Sequence, residues 1–365
     1  MHLRRLWLTD FRSYPDADLE LPPGLCAIRG PNGVGKSNLL EAVGYLGTLT
    51  SFRGAPAEAL IATTATSAVV RGEVVHQEGE RGRTTLVEAE LTRNGRNRVQ
   101  VNRQRLRRSR DLLGTLRVTV FSPDDLELLK GGPAVRRDYL DDLLVALHPR
   151  HDLVRSEWEK ALRQRNALLK QVGGHLDESA TVTLEVWDTK ASDAGTALVE
   201  LRRALVERLG PGVGEAYRDL SGRHDEVTVH YVRSWEGGLS EAFVAARRDE
   251  LRRGLTMVGP HRDELQLTLN GMPARTHASQ GEQRCLALAL RLAGHRELRR
   301  ELSSSPILLL DDVFSELDGE RSEALLGSLP EGQALLTTAT QLPVGVVPDL
   351  LVEVEPGRLR PVPGR

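Results

Sequence analysis

A glycine-rich stretch that ends in lysine and serine carries the clearest chemistry in the chain. Glycine lacks a Cβ, so successive backbone N–H groups can converge on phosphate oxygens. A lysine at this offset can reach the β- and γ-phosphates of a nucleotide, and the serine hydroxyl can hold Mg²⁺. The apolar run before the stretch predicts a strand, and the residues after it predict a helix whose N-terminus favours an anion. The stretch comprises Gly30, Pro31, Asn32, Gly33, Val34, Gly35, Lys36 and Ser37, and Asn38 continues into the helix.

Two adjacent acids, Asp311 and Asp312, directly follow the apolar run 307–310. A continuous apolar run of this length is typical of a parallel strand that is buried on both faces. Acids at the carboxyl end of such a strand lie where α/β sheets bind ligands. We therefore expect Asp311 to hold Mg²⁺, directly or through water, and Asp312 to orient an attacking water or take its proton.

The segment that begins at Ser279 is compatible with two interpretations. Ser279 and Glu282 have the spacing of a capping box before an apolar helix. Alternatively, Ser279 and Gly281 present the start of that helix to a phosphate.

A few weaker candidates stand in loops. Arg53 is a further candidate phosphate contact, and Thr338 or Thr340 could place a hydroxyl near a γ-phosphate, although most threonines after a strand only form turns. His261 and Arg262 are candidates to line a site, but a lone histidine is more often a packed structural residue.

An arginine-rich segment runs from residue 93 to residue 110 and contains no acid. One interpretation is a solvated edge strand whose charges prevent aggregation. The other is a local surface that contacts a phosphate backbone. The candidate DNA contacts are Arg93, Arg96, Arg98, Arg103, Arg105, Arg107 and Arg108.

Composition restricts where a polyanion could bind. The 365 residues include 49 Lys plus Arg and 51 Asp plus Glu, so any nucleic-acid site must be local rather than a property of the whole chain. Cys26 and Cys285 lie in apolar runs and predict buried, reduced thiols. The chain has no apolar run long enough to span a membrane and does not begin like a signal peptide, so we expect a cytoplasmic protein without a membrane partner.

Hydrophobic periodicity predicts an α/β fold with a helical insertion. We expect residues 1–120 plus 255–365 to form a nucleotide-binding lobe with a mixed parallel and antiparallel sheet, and residues 121–254 to form a mostly helical lobe inserted between them. The predicted helical segments are 135–147, 149–171, 181–209 and 239–253, with a break at 210–212 and a single strand at 225–233.

Together these motifs resemble the P-loop ATPase head that ABC transporters and SMC proteins share. The opening Asp-Phe-Arg-Ser-Tyr at 10–14 favours the SMC side. Within that side the chain is similar to the RecF family of bacterial recombination mediators over nearly its full length. The matching segments lie at 121–126, 259–263, 279–283 and 311–318.

The resemblance implies a weak DNA-dependent ATPase that acts as a switch, with ATP and Mg²⁺ as cofactors and an ATP-dependent homodimer. It implies binding to gapped, single- or double-stranded DNA, work with RecO and RecR, and RecA loading in repair, replication and the SOS response. Alternatives are an ATPase subunit of a transporter and an ATP-gated clamp without essential hydrolysis.

By the same resemblance, each motif takes a role at the nucleotide. Residues 30–37 bind the triphosphate, with Lys36 and Asp312 in catalysis and Ser37 and Asp311 at the metal. Arg12 approaches the nucleotide from its own subunit. Ser279, Gly281 and Gln283 act on the ATP that the other subunit holds. Asp312 departs from the glutamate of transporters, which suggests slow turnover.

Overall fold

The computed structural model describes residues 1–76, 82–302, 304–342 and 345–363. These residues form two compact units. The first contains Met1–Asp125, Ala216–Arg223 and Leu288–Arg365, and the second contains Leu126–Glu215 and His224–Ala287. Each unit contains both helices and strands, so the predicted α/β class is confirmed. The strands are β1 (His2–Phe11), β2 (Tyr14–Glu20), β3 (Leu25–Arg29), β4 (Ser67–His76), β5 (Arg83–Thr92), β6 (Arg98–Val101), β7 (Gln104–Arg105), β8 (Val118–Phe121), β9 (Val227–Val232), β10 (Glu264–Leu269), β11 (Met272–Pro273), β12 (Ile307–Leu310), β13 (Ala334–Thr338), β14 (Leu350–Glu355) and β15 (Arg358–Pro363).

Helices of very different lengths connect these strands. Among the described residues, no helix has both the length and the apolar character that crossing a membrane requires. The helices are α1 (Lys36–Thr48), α2 (Glu127–Lys130), α3 (Pro133–Leu147), α4 (His151–Gln171), α5 (Glu178–Ser221), α6 (Leu239–Arg253), α7 (Ala274–His277), α8 (Gln280–Leu302) and α9 (Gly319–Ser328).

A mostly parallel sheet in the first unit positions the candidate site. Its strand order is β15-β14-β3-β13-β12-β8, and only β15 runs antiparallel to its neighbour. All four residues of β12 are buried, as the apolar run predicted. Because β3 and β12 both pair with β13, their carboxyl ends lie at the same edge of the sheet. The glycine-rich loop after β3 and the aspartates after β12 therefore meet there.

An antiparallel sheet with the order β2-β1-β4-β5-β6-β7 also belongs to the first unit. Its apolar residues alternate with polar ones along β4 and β5 and join the main hydrophobic core. Strands β5 and β6 pair antiparallel, and the connection between them contains Asn94 and Gly95, the latter with a φ of +124°. A tight turn follows at Asn102 and Arg103, both with positive φ, as a two-residue hairpin turn requires.

The second unit does not coincide with the predicted helical lobe, since residues 121–125 and 216–223 belong to the first unit. Strand β9, predicted as a single strand, pairs antiparallel with β10 and joins a three-stranded sheet of order β11-β10-β9. This pairing places residues 255–287 in the second unit, whereas the sequence pattern assigned them to the nucleotide-binding lobe. The difference arises because strand pairing between distant segments leaves no local signal in the sequence.

The predicted break at residues 210–212 is wrong, because α5 continues through Pro211. A proline inside a helix removes one hydrogen bond and costs about 3 kcal/mol. Around it, however, Leu209, Val213, Ala216 and Tyr217 form a buried stripe at helical spacing. Burying a leucine or valine side chain stabilises by roughly 1.5–3 kcal/mol, so Leu209 and Val213 together offset the cost of the proline.

Both cysteines are buried, as predicted, and neither forms a disulfide. Burial raises the pKa of the Cys26 thiol to about 12, so this thiol stays protonated near neutral pH.

A buried histidine on α8 gives a testable pH dependence. His295 is 1% exposed and its Nδ1 lies 2.9 Å from Thr119 Oγ1. Burial, aided by Arg299 and Arg296, lowers its pKa to about 4 from 6.5. Because the unfolded chain takes up this proton at higher pH than the folded one, stability contributed by the neutral ring is lost as the pH falls from 6.5 towards 4. The loss amounts to about 2 kcal/mol between pH 7.5 and 5.

His295→Gln removes this titration. Urea unfolding at pH 7.5 and 5 should show a smaller decrease in the free energy of unfolding for the variant than for the wild type. Equal decreases in the two proteins would contradict the assignment.

Candidate functional site

The glycine-rich loop connects β3 to α1, so the predicted strand, loop and helix are confirmed. Gly33 and Gly35 have φ of +79° and +113°, which side chains rarely adopt. A Cβ on Gly35 would lie 2.5 Å from Ser13 Oγ, and one on Gly30 would lie 2.6 Å from the carbonyl oxygen of Val354. The backbone shape and the close packing therefore both require glycine in this loop.

Lys36 points back into this loop. Its Nζ donates to the carbonyl oxygens of Gly30, at 2.8 Å, and Pro31, at 2.9 Å, and the residue is 6% exposed. Burial lowers the pKa of the ammonium, while Asp312 and Asp311 oppose that shift. The ammonium thus lies where the loop would hold a phosphate, and carbonyl oxygens occupy two of its three N–H donors.

The serine of the loop touches the first aspartate directly. Ser37 Oγ donates to Asp311 Oδ1 over 2.7 Å, and Asp311 is 6% exposed. A hydroxyl beside a carboxylate is a hard-oxygen pair that suits Mg²⁺. Within the described ranges, no cluster of three or more His, Cys, Asp or Glu side chains could hold a metal. These residues therefore fit a magnesium ion that takes its remaining ligands from phosphate and water.

Asp312 is held in an unusual conformation. Its φ is +50°, a left-handed value that residues other than glycine, aspartate among them, adopt only occasionally. Its Oδ1 is buried and has no hydrogen-bond partner in the described part of the chain. Buried polar atoms are nearly always satisfied, so such an exception marks a position where a water or ligand is expected.

Thr337 joins the two aspartates, and the sequence pattern did not identify it. Its buried hydroxyl donates to Asp311 Oδ1 at 2.8 Å and accepts the N–H of Asp312 at 2.9 Å. The pattern favoured Thr338 or Thr340, whose hydroxyls lie 3.4 Å from each other in the following turn. The sequence pattern missed Thr337 because its position depends on strand register: Leu310, the last residue of β12, pairs with Leu336, so Thr337 lies beside the start of the acidic pair.

We expect Thr337→Val to lower the free energy of unfolding by about 1–3 kcal/mol, because valine keeps the shape but leaves a buried carboxylate and an N–H without this partner. Urea unfolding measures the change. Thr338→Val is the matched control, since Thr338 is also buried but its hydroxyl bonds only within the turn. Equal costs for the two variants would contradict the assigned role of Thr337.

Further candidate nucleotide contacts lie near the first turns of α1. Arg12, in the turn between β1 and β2, makes a two-point ion pair with Glu41 of α1. Asn38 Nδ2 donates to Ser13 Oγ at 2.9 Å, and Arg53 Nη1 lies 3.4 Å from Asn38 Oδ1. The structure therefore brings Arg12, Asn38 and Arg53 to the helix that starts at Lys36; their contact with a nucleotide stays a prediction.

The N-terminus of α8 forms the predicted capping box. The backbone N–H of Ser279 donates to Glu282 Oε2 at 2.8 Å, and Ser279 Oγ accepts the Glu282 N–H at 3.3 Å. Ser279 is exposed and Gly281 is half-buried. A phosphate contact from a second copy stays a prediction for both residues.

Gln283 forms hydrogen bonds within its own chain, and its contact with the ATP of the other subunit stays a prediction. It is 6% exposed, and its Nε2 donates to the carbonyl oxygens of Ala274, at 3.3 Å, and Arg275, at 3.0 Å. The amide thus satisfies carbonyls of the short helix α7. In this conformation Gln283 supports the segment before Ser279, and a contact with nucleotide would require its release.

His261 is a packed residue, in line with the more common role of a lone histidine. Its ring centroid lies 5.7 Å from that of Trp158, its Nε2 lies 3.2 Å from Thr256 O, and burial lowers its pKa to about 4. Arg262 donates to the same carbonyl oxygen.

The arginine-rich segment is exposed, but not all its members are free. Arg93 donates to the carbonyl oxygens of Ile61, Ala62 and Ala65, so it holds that loop. Arg98 forms a surface pair with Glu90 at 3.5 Å. The remaining candidate DNA contacts are all exposed: Arg96 lies in the connection between β5 and β6, and four others lie at the tight turn, on the edge strand β7 or just after it, namely Arg103, Arg105, Arg107 and Arg108. This placement is compatible with both the protected edge and the phosphate-contact surface.

Known proteins are similar to this chain in sequence. The family model described as the RecF/RecN/SMC N terminal domain matches residues 2–343. The DNA replication and repair protein RecF of Acidothermus cellulolyticus is 44% identical over 362 residues, which cover 94% of this chain and 96% of that protein. The protein of the same name from Frankia alni is 43% identical over 363 residues and covers 94% and 95%.

Solved structures agree with these sequence relationships. A structure of the recombination mediator protein RecF-ATP in the RecFOR pathway is 28% identical, with a TM-score of 0.90, and covers 99% of this chain and 97% of that one. An Smc head domain from Pyrococcus furiosus, 17% identical with a TM-score of 0.57 over 99% of this chain and 96% of that one, shares the fold. The predicted ATPase-head fold is thereby confirmed.

Proposed function

The chain belongs to the RecF/RecN/SMC family, and within it to the RecF proteins, and from this premise we propose that it is an ATP-dependent DNA-binding protein of recombinational repair and replication restart. In this proposal Mg·ATP joins two copies on DNA, and slow hydrolysis releases them. The observation that carries the proposal is the 2.7 Å hydrogen bond between Ser37 and Asp311, which joins the phosphate loop to the acidic strand end. Similar structures are described with ATP, and the relatives are named as DNA replication and repair proteins.

The residues at the carboxyl ends of β3 and β12 have different roles in the proposed ATP hydrolysis. Backbone N–H groups of the loop and the Lys36 ammonium bind the triphosphate, which replaces the carbonyl contacts of that ammonium. Ser37 and Asp311 would hold Mg²⁺, which neutralises phosphate charge when bound. Asp312 orients the attacking water and accepts its proton. Because aspartate is one methylene shorter than glutamate, its carboxylate reaches about 1.5 Å less, and we expect slow turnover.

The homodimer is proposed because the glycine-rich loop can enclose only one side of a γ-phosphate. The N-terminus of α8 from a second copy, with Ser279 and Gly281, would supply N–H groups and a favourable dipole on the other side. ATP then belongs to the interface, so the dimer depends on nucleotide by mass action and dissociates after hydrolysis.

Mixing two inactive variants tests this composite site. Lys36→Met spoils the loop of one copy and Ser279→Arg spoils the helix start of the other. In a mixed dimer, the intact loop faces the intact helix start at one of the sites, so ATP hydrolysis should return although each variant alone is inactive. Thr276→Arg, an exposed position on α7, serves as the control for added charge. Failure of the mixture to recover hydrolysis would reject the trans contact.

DNA binding is proposed through the arginine-rich segment, whose exposed side chains could follow a phosphate backbone although the chain is nearly neutral overall. Fluorescence anisotropy with labelled duplex, gapped duplex and single-stranded DNA tests it. Affinity should require Mg·ATP and fall steeply with salt.

Arg105→Glu combined with Arg107→Glu should weaken DNA binding and give a shallower salt dependence. Arg252→Glu combined with Arg253→Glu places the same charge change on the exposed end of α6 as a matched control. Unchanged binding by the first variant would remove the segment from the interface. Absence of DNA affinity in the wild type under every condition would favour a transporter ATPase instead.

The proposed partners are RecO and RecR, and RecA indirectly, at gapped DNA in the cytoplasm, with support of the SOS response. Support comes from the description of similar structures as belonging to the RecFOR pathway. RecA filament assembly on gapped DNA, measured with RecO and RecR in the presence and absence of this protein, is the test. Equal assembly rates would reject the loading role.

A further inference from the structure

Glu41, the partner of Arg12, is a fully buried carboxylate on α1. It is 0% exposed, and both oxygens are engaged. Oε2 accepts from Arg12 Nε at 2.8 Å, and Oε1 accepts from Arg12 Nη2 at 2.8 Å and from Ser51 Oγ at 2.5 Å. A buried charge is tolerated only when it is paired and hydrogen-bonded in this way.

These contacts fix the Arg12 side chain but use only part of its N–H donors. Its third anchor is Nη1, which donates to the carbonyl oxygen of Ala59 at 2.9 Å. Each Nη carries a second N–H, and the side chain retains 21% of its exposure. The guanidinium is therefore held in one orientation while it keeps donors for an anion.

Ser51 connects Glu41 to Arg53, the other candidate phosphate contact. Its Oγ accepts the N–H of Arg53 at 3.1 Å and of Ala55 at 3.3 Å, so it organises the loop that follows α1. Through Ser51 and Arg12, one carboxylate connects both arginines to the helix that begins at Lys36.

We propose that Glu41 is a positioning residue for nucleotide binding, which orients Arg12 and the Arg53 loop against the triphosphate. The inference rests on the proposed function, since it assigns a role at the same ATP site. Its physical basis is preorganisation: an arginine already held in its binding orientation loses less conformational freedom when the ligand arrives. Glutamine at this position could accept only through one oxygen and would not balance the guanidinium charge.

A thermodynamic cycle tests this role with AMP-PNP and Mg²⁺, titrated into the full-length protein and followed by calorimetry. Glu41→Gln should weaken the affinity by roughly 10-fold, as loss of a supporting partner typically does. In the background of Arg12→Met, the same change should weaken it less, because the part of the effect that acts through Arg12 is already lost. Asp18→Asn is the matched control, since Asp18 makes a similar two-point pair with Arg5 on the surface of the same hairpin.

Stability is measured beside affinity, because breaking a buried pair also destabilises the fold. Arg12→Met combined with Glu41→Met replaces the pair by apolar side chains and should recover stability without recovering affinity. Wild-type affinity in Glu41→Gln or in the double methionine variant would overturn the proposal. Strictly additive effects of Glu41→Gln and Arg12→Met on the affinity would also overturn it. Failure of the wild type to bind AMP-PNP would instead reject the proposed function.

Discussion

Replacing Lys36 by methionine should leave a folded protein that neither binds Mg·ATP tightly nor dimerises with it. The ammonium lies 2.8 Å and 2.9 Å from carbonyl oxygens of the glycine-rich loop, so it is already positioned for the phosphates. Methionine retains most of the apolar stem but removes the charge. Charge-assisted hydrogen bonds to a ligand contribute about 3 kcal/mol, which corresponds to an affinity loss of about 100-fold.

Light scattering of the wild type and the variant, with and without Mg·ATP and DNA, measures the dimer, and calorimetry measures the affinity. Lys160→Met on α4 removes an exposed lysine and should behave as the wild type. A Lys36→Met protein that still doubles its mass with ATP would contradict the assigned role of the loop.

Replacing Asp312 by asparagine should nearly abolish hydrolysis while ATP binding and the dimer persist. Removing a positioned base typically costs about 100-fold or more in rate. Asparagine is nearly the same size as aspartate and tolerates the left-handed backbone seen here, so the local structure should survive. The variant should accumulate as an ATP-bound dimer on DNA.

Single-turnover phosphate release and light scattering on DNA together distinguish the outcomes. Asp318→Asn, at the N-cap of α9, is the matched control because asparagine also caps helices well. Unchanged hydrolysis in Asp312→Asn would remove this residue from the chemistry. Lost hydrolysis with intact repair in cells would favour the ATP-gated clamp.

The parts of the site that the sequence predicted are those with local patterns. Glycines, lysine and serine at fixed spacing identified the loop, four apolar residues before two acids identified β12, and the offset between Ser279 and Glu282 identified the capping box. Each pattern depends on interactions between neighbours in the chain, so the residue types alone reveal it.

The parts that the sequence did not predict depend on distant segments meeting. Thr337 reaches both aspartates only because β13 lies beside β12 in a particular register. Likewise, β9 finds its partner β10 across more than thirty residues. The inward turn of Gln283 follows from α7 lying beside it, and α5 continues through Pro211 because neighbouring side chains are buried.

Strand β3 is hydrogen-bonded on one side to β13 and on the other to β14. Its partners emerge from the ribosome more than 300 residues after it, and at about 5–20 residues per second that is a wait of at least roughly 15 s. Until then the strand that leads into the phosphate loop has no neighbour in its sheet. A nascent chain truncated before residue 334 should therefore be unable to retain nucleotide, and its apolar strand would be a target for chaperones.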